Sequence, residues 1–126
     1  MRQGALKLKL QLVCGDGFAM GPGKADLLET IDRVGSIKGA GAAMGMSYRR
    51  TWLLVDEMNR CFRERVVETM PGGGAGRGAR LTDTGRAVLA AYRTLEAAAA
   101  AATDGEAYRT LTAAMLDEPR PAKTGA

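Results

Sequence analysis

The sequence predicts a mainly α fold with a small β component. Three observations carry this expectation. Apolar residues recur every three to four positions in four separate stretches, and three of these follow directly on a Ser or Thr suited to cap a helix. Leu6, Leu8, Leu10 and Leu12 alternate with Lys7, Lys9 and Gln11, the pattern of a strand with one apolar face. Two short β-rich runs, Val66–Thr69 and Ala79–Leu81, flank a glycine-rich stretch in the manner of a hairpin.

Taken in order, residues 5–14 form the N-terminal strand. Gly15-Asp16-Gly17 is a turn signal, and Phe18 to Met20 a short returning strand. A first helix spans about Lys24 to Val34, with Leu27, Leu28, Ile31 and Val34 as its apolar stripe. Asp26 and Glu29 lie near its start, where acidic groups suit the helix dipole. Gly35 ends it, and Ser36 caps a short second helix, about Ile37 to Met44, with Ile37, Ala40, Ala43 and Met44 on one side. Gly39 and Gly41 each cost such a helix about 1 kcal/mol relative to Ala, so it must pack tightly on its neighbours. Gly45 closes it in the left-handed region, and Ser47 caps a third helix, about Tyr48 to Phe62. Tyr48, Trp52, Val55, Met58 and Phe62 are its expected core face. Two helices joined by a tight glycine turn make a helix-turn-helix.

The hairpin follows, with five glycines and Arg77 in residues 72–78. Thr82 caps a fourth, alanine-rich helix over 83–102, which carries Val88, Ala91, Tyr92 and Leu95 on one face. The expected organisation is a winged helix-turn-helix domain over 1–102 with an N-terminal strand and a long C-terminal helix. A short helical extension occupies 103–118, and 119–126 is read as a disordered tail.

Composition excludes several classes of function. Of 126 residues, 46% are apolar and 25% charged, enough to fill one core. There is no His, and neither a metal-ligand cluster nor a nucleophile–base pair is visible, so no metal, cofactor or enzymatic activity is expected. Cys14 and Cys61 are too far apart in sequence for a CxxC clip and read as inert. No apolar run approaches the roughly 20 residues of a membrane helix, and Met1–Val13 alternates Lys with Leu. The expected compartment is therefore the cytoplasm, without membrane contact.

The sharpest feature is Ser47-Tyr48-Arg49-Arg50 at the start of the third helix. Arginines in a first turn oppose the helix dipole by a few tenths of a kcal/mol, and a bound anion turns that penalty into a gain. In a helix-turn-helix this end of the second helix meets phosphates and base edges. Arg is the side chain best shaped for guanine O6/N7 or phosphate. From Arg33 to Arg80 nine basic residues face four acidic ones, an excess larger than the whole chain's net charge of +4. The expected contacts with double-stranded DNA are Ser36, Lys38, Ser47, Tyr48, Arg49 and Arg50, with Arg77 and Arg80 on the wing. Trp52 is read as core. A homodimer is expected through helix 83–102 and the Leu strand, since such proteins read two half-sites. The competing reading keeps the winged fold as a protein-interaction module without DNA binding.

The order of residues resembles a known family. Gly21-Pro-Gly-Lys24, Leu27-Leu-Glu-Thr-Ile-Asp32, Gly35-Ser-Ile37, Ser47-Tyr-Arg-Arg50-Thr-Trp52, Val55-Asp-Glu-Met-Asn59 and the Gly72–Gly78 run leading to Leu81-Thr82 are similar to the N-terminal domain of the ModE family, the molybdenum-responsive winged helix-turn-helix regulators. The likeness covers about residues 6–95. It implies a homodimeric, sequence-specific transcriptional regulator whose third helix enters the major groove and whose wing touches the backbone. Ser47, Tyr48, Arg49 and Arg50 then carry over as DNA contacts. Full members of the family add C-terminal oxyanion-binding modules. The expectation here is a link to molybdate metabolism without a molybdate-binding domain, the signal coming from a sensing partner or another small-molecule effector, or being absent.

Overall fold

A computed structural model describes residues 1–71 and 78–123. The order is β1 (Arg2–Gln3), β2 (Leu6–Lys7), β3 (Leu12–Cys14), β4 (Gly17–Met20), α1 (Pro22–Val34), α2 (Ile37–Ala43), α3 (Tyr48–Cys61), β5 (Val67–Met70), β6 (Gly78–Leu81), α4 (Asp83–Ala100) and α5 (Glu106–Ala114). A 3-10 turn, Ala101–Asp104, joins the last two. The strands form three antiparallel pairs, β1–β2, β3–β4 and β5–β6. The fold is thus mainly α with small β, as the sequence leads one to expect.

The N-terminal segment departs from its expected single strand and splits between two hairpins. Leu6, Leu8 and Leu10 are half-buried, whereas Leu12 is exposed. The ladder register shifts between Leu12 and Val13. The extra residue is Ala19 of β4, which falls between the paired Phe18 and Met20 and has no partner in the ladder.

α1 sits at the centre. Its Leu27, Leu28 and Ile31 are fully buried among Met20, Met58, Val66, Val67 and Leu81. Val34 lies outside, because the helix closes at Gly35, whose N–H donates to Ile31 O at 2.8 Å. Pro22 starts the helix earlier than expected, so Asp26 and Glu29 fall beyond the first turn and have another use. They receive Arg93 of α4: Nη2 contacts Asp26 Oδ1 and Nε contacts Glu29 Oε1, each at 2.8 Å. Arg93 Nη1 reaches the buried Glu96 at 2.8 Å. Hydrogen bonding to Glu29, against the opposing effect of burial and with help from Glu96 and Asp26, holds this guanidinium well above its ordinary range.

α4 presents Gly85, Tyr92, Glu96 and Ala100 inward, with Val88 and Leu89 against the core. Two members of the expected stripe, Ala91 and Leu95, point outward instead. Glu96 takes the inward place because Arg93 satisfies its carboxylate. Tyr92 donates its hydroxyl hydrogen to Leu10 O at 2.8 Å, fastening the N-terminal segment to α4. The regular helix stops at Ala100, two residues before its expected end. α5 returns to the N-terminus, where Tyr108 Oη accepts from Ala5 N at 2.9 Å.

The β5–β6 hairpin is anchored from two sides. Ala79 N donates to Gly35 O at 2.8 Å, at the junction of α1 and α2. From α3, Asn59 Oδ1 accepts from Val66 N (2.8 Å) and Val67 N (3.2 Å), while Nδ2 donates to Val67 O (3.1 Å). One amide side chain thus serves three backbone groups at the root of the strand. Asn59→Ala is expected to lower stability by about 2–3 kcal/mol, since unserved polar groups at a buried site cost on the order of 1–3 kcal/mol each and water recovers some of that. Urea denaturation checks this, and an unchanged midpoint would mean water replaces all three bonds.

Candidate nucleic-acid interface

α2 and α3 meet where neither has bulk. A Cβ on Gly41 would strike the Thr51 side chain, with Thr51 Cβ 3.1 Å and Cγ2 3.3 Å away. Thr51 is fully buried and donates its hydroxyl hydrogen to Ser47 O at 2.8 Å. Gly41 therefore holds the inward place on α2 that Ala43 was expected to share, and Ala43 is exposed. The connecting turn passes through Gly45 at φ +70°, a conformation that suits glycine. Met46 N reaches back to Gly41 O at 2.8 Å.

This crossing decides which face of α3 looks inward. Thr51, Val55 and Met58 are buried. Tyr48 and Trp52, expected in the core, are 54% and 47% exposed, and Leu53 is 49% exposed. The physical reason is space: an approach close enough to exclude a methyl at Gly41 leaves no room for an indole. Phe62 stays half-buried against the core.

The capping residues behave as expected. Ser36 Oγ accepts from Gly39 N at 2.9 Å, and Ser47 Oγ accepts from Arg50 N at 3.1 Å. Both hydroxyls are thus engaged in starting helices. Lys38, Arg49 and Arg50 are exposed, and none forms an ion pair among the described residues. The first turn of α3 holds no acidic residue. Arg49 and Arg50 line a shallow depression of about 400 Å³ that also includes Ser47, Leu53, Leu54, Glu57 and Arg60. Arg80 differs: its Nε contacts Glu68 Oε1 at 2.6 Å, directly across the hairpin where the two residues are register partners. Arg77 lies outside the described residues.

Sequence reasoning did not find several groups beneath this surface. Lys24, 8% exposed, is ion-paired to Glu57 of α3 and donates to Phe18 O at 2.6 Å. It joins α1, α3 and β4. Asn59, also missed, clamps the hairpin, whereas Met58 fills the core as its place in the apolar stripe suggests and Asp56 pairs with Arg60 at 2.9 Å. The Val55–Asn59 block is therefore structural throughout. Its signal was available in the mixture of acid, amide and apolar residues on one short helical stretch. Cys14 and Cys61, remote in sequence, are neighbours. The Cys14 thiol and burial push the Cys61 thiol upward.

Among the described residues no three His, Cys, Asp or Glu side chains are grouped to hold a metal ion. Nor, among the described residues, is any helix long and apolar enough to cross a membrane.

No protein-family model matches the chain. It is 43% identical over 84 residues to a molybdenum-pterin-binding protein, MopB, of Rhodobacter capsulatus, covering 67% of this chain and 31% of that protein. It is 41% identical over 80 residues to a molybdenum transport protein, ModE, of Azotobacter vinelandii, covering 64% and 30%. It is 35% identical over 71 residues to the DNA-binding transcriptional dual regulator ModE of Escherichia coli (strain K12), covering 56% and 27%. The chain spans less than a third of the length of these relatives.

Proposed function

Because this chain is a homologue of ModE-family proteins over 56–67% of its length, we propose that it is a winged helix-turn-helix regulator of transcription that binds double-stranded DNA in a sequence-specific way. The observation that carries this reading is the pair of exposed guanidinium groups, Arg49 and Arg50, at the capped start of α3 with no acidic group in that turn. Two cations are seated against a helix dipole that repels them, an arrangement that phosphate or guanine resolves.

In this reading α3 lies in the major groove. Ser47, Tyr48, Arg49 and Arg50 meet the duplex first, and Ser36 and Lys38 at the start of α2 reach the backbone. The β5–β6 hairpin is the wing, with Arg80 on its second strand, and Arg77, which precedes that strand in sequence, is the other expected contact. Arg80 is partly committed to Glu68, so its share of phosphate binding is the smaller. The function is regulatory, not enzymatic, and belongs to the cytoplasm. A link to molybdenum is supported by the names of its relatives, a molybdenum-pterin-binding protein and a molybdenum transport protein.

Duplex binding measured across a salt series tests the reading. The logarithm of affinity is expected to fall linearly with that of salt concentration, with a slope of about −0.9 per phosphate neutralised. A chain that shifts no duplex even at low salt would fit the interaction-module alternative instead.

Dimerisation belongs to the same proposal. Leu95 of α4 is 47% exposed and Leu111 of α5 65%, while Met115 and Leu116 are each 55% exposed. With Leu12 and Val13 these leave apolar surface for a second copy, which a two-half-site reader needs. Sedimentation velocity finding only monomer at micromolar concentration would remove the dimer from the proposal.

A further inference from the structure

Tyr48, Trp52 and Leu53 form an exposed apolar patch on the same helix as the two arginines. Together with Arg49 they line a depression of about 600 Å³. Their position follows from helix geometry. With Thr51, Val55 and Met58 inward, a 3.6-residue turn places Arg49 and Leu53 on the opposite, outward face and Trp52 on its flank. Four neighbouring positions thus offer one planar cation framed by three apolar side chains.

Resting on the duplex-binding reading above, we infer that this patch reads thymine: Trp52 and Leu53, flanked by Tyr48, pack against thymine 5-methyl groups within two base steps of a guanine held by Arg49. The 5-methyl of thymine is the apolar group that base edges present in the major groove, beside the donors and acceptors that Arg and amides read. Arg49 and Leu53 are one turn apart, about 6 Å along the helix axis. That is close to two base-pair steps at about 3.4 Å each. The same four side chains therefore span a short word containing guanine and thymine. Charge complementarity decides for duplex over an apolar protein partner. Arg49 lies inside the patch and Arg50 follows it on the same helical turn, neither ion-paired among the described residues. A protein seated on the patch would have to bury Arg49 without an acidic partner from the first turn of α3.

Deoxyuridine supplies the test, because it differs from thymidine by that methyl alone. Duplexes are first selected from a random 20-base-pair library with the full chain. Each is then remade with uracil at single thymine positions. The wild type is expected to lose about fourfold in affinity at each contacted methyl, from the free energy of burying one such group. Trp52→Ala and Leu53→Ala are expected to bind the thymine and uracil duplexes alike at the position each one reads. Both side chains are about half exposed, so truncation leaves the core filled, and circular dichroism verifies the fold. Equal wild-type affinity for thymine and uracil at every position overturns the inference while leaving duplex binding intact. So does a full methyl effect surviving in both variants. Recovery of no duplex from the library overturns the inference and the duplex-binding reading together.

Discussion

Arg49→Ala combined with Arg50→Ala is expected to weaken duplex binding by at least tenfold and to flatten its salt dependence, while leaving the protein as stable as before or slightly more so. The opposite signs follow from one cause. In the free protein both cations oppose the dipole at the start of α3, and neither forms an ion pair among the described residues. Their removal therefore relieves a few tenths of a kcal/mol. On DNA the same groups face phosphate and guanine. A bidentate guanine contact is worth about 1–3 kcal/mol of discrimination, and each lost phosphate contact reduces the salt slope by about 1. Only Arg50's backbone N–H helps to start the helix, through Ser47 Oγ, and alanine keeps that N–H. Titration of a selected duplex at two salt concentrations, with thermal denaturation alongside, separates the effects. Unchanged affinity would remove these arginines from the interface; a fall in stability of more than about 1 kcal/mol would mean they support the fold.

Gly85→Ala is expected to destabilise the protein by about 3 kcal/mol, although Ala for Gly in an ordinary helix interior gains about 1 kcal/mol. Gly85 lies in the first turn of α4, where its N–H donates to the Thr82 cap at 2.9 Å. A Cβ there would overlap Val66 O, with the Val66 carbonyl carbon 2.9 Å and Cα 3.2 Å away. These are backbone atoms of a fully buried residue, and Val66 O already accepts from Thr82 N at 3.0 Å. No side chain swings aside to make room. The start of α4 must lift off the root of the β5–β6 hairpin, or the hairpin must shift on Asn59. Urea denaturation measures the loss; a variant at least as stable as the wild type would show that the two elements separate freely.

The two substitutions bear on different levels of the structure. The arginines are exposed and legible as a motif. Gly85 reads as an ordinary glycine three residues after a threonine, and its constraint comes from Val66, nineteen positions earlier in the chain. The same contrast runs through the interface. Ser47 and the arginines are where their adjacency suggests, whereas the exposure of Trp52 reverses the reading that periodicity favoured. A stripe of Tyr48, Trp52, Val55 and Met58 fits the helical repeat as well as one of Thr51, Val55 and Met58 does. The choice rests with Gly41, whose missing side chain makes a slot that threonine fits and tryptophan does not.

What the sequence determined by itself is local: helix starts at Ser36, Ser47 and Thr82, stops at Gly35 and near Gly45, and a hairpin around a glycine run. Each is written within three or four consecutive residues, because caps and turns are closed by hydrogen bonds of that reach. Tertiary structure alone decided the division of the leucine strand, the clamp of Asn59 on Val66 and Val67, the union of Lys24 with Glu57, and the three acids around Arg93. Those partners lie from a few to dozens of positions apart, and which side chain turns inward depends on the shape of the surface it meets. Local pattern places a residue on an element; only the packed neighbour fixes the face it shows.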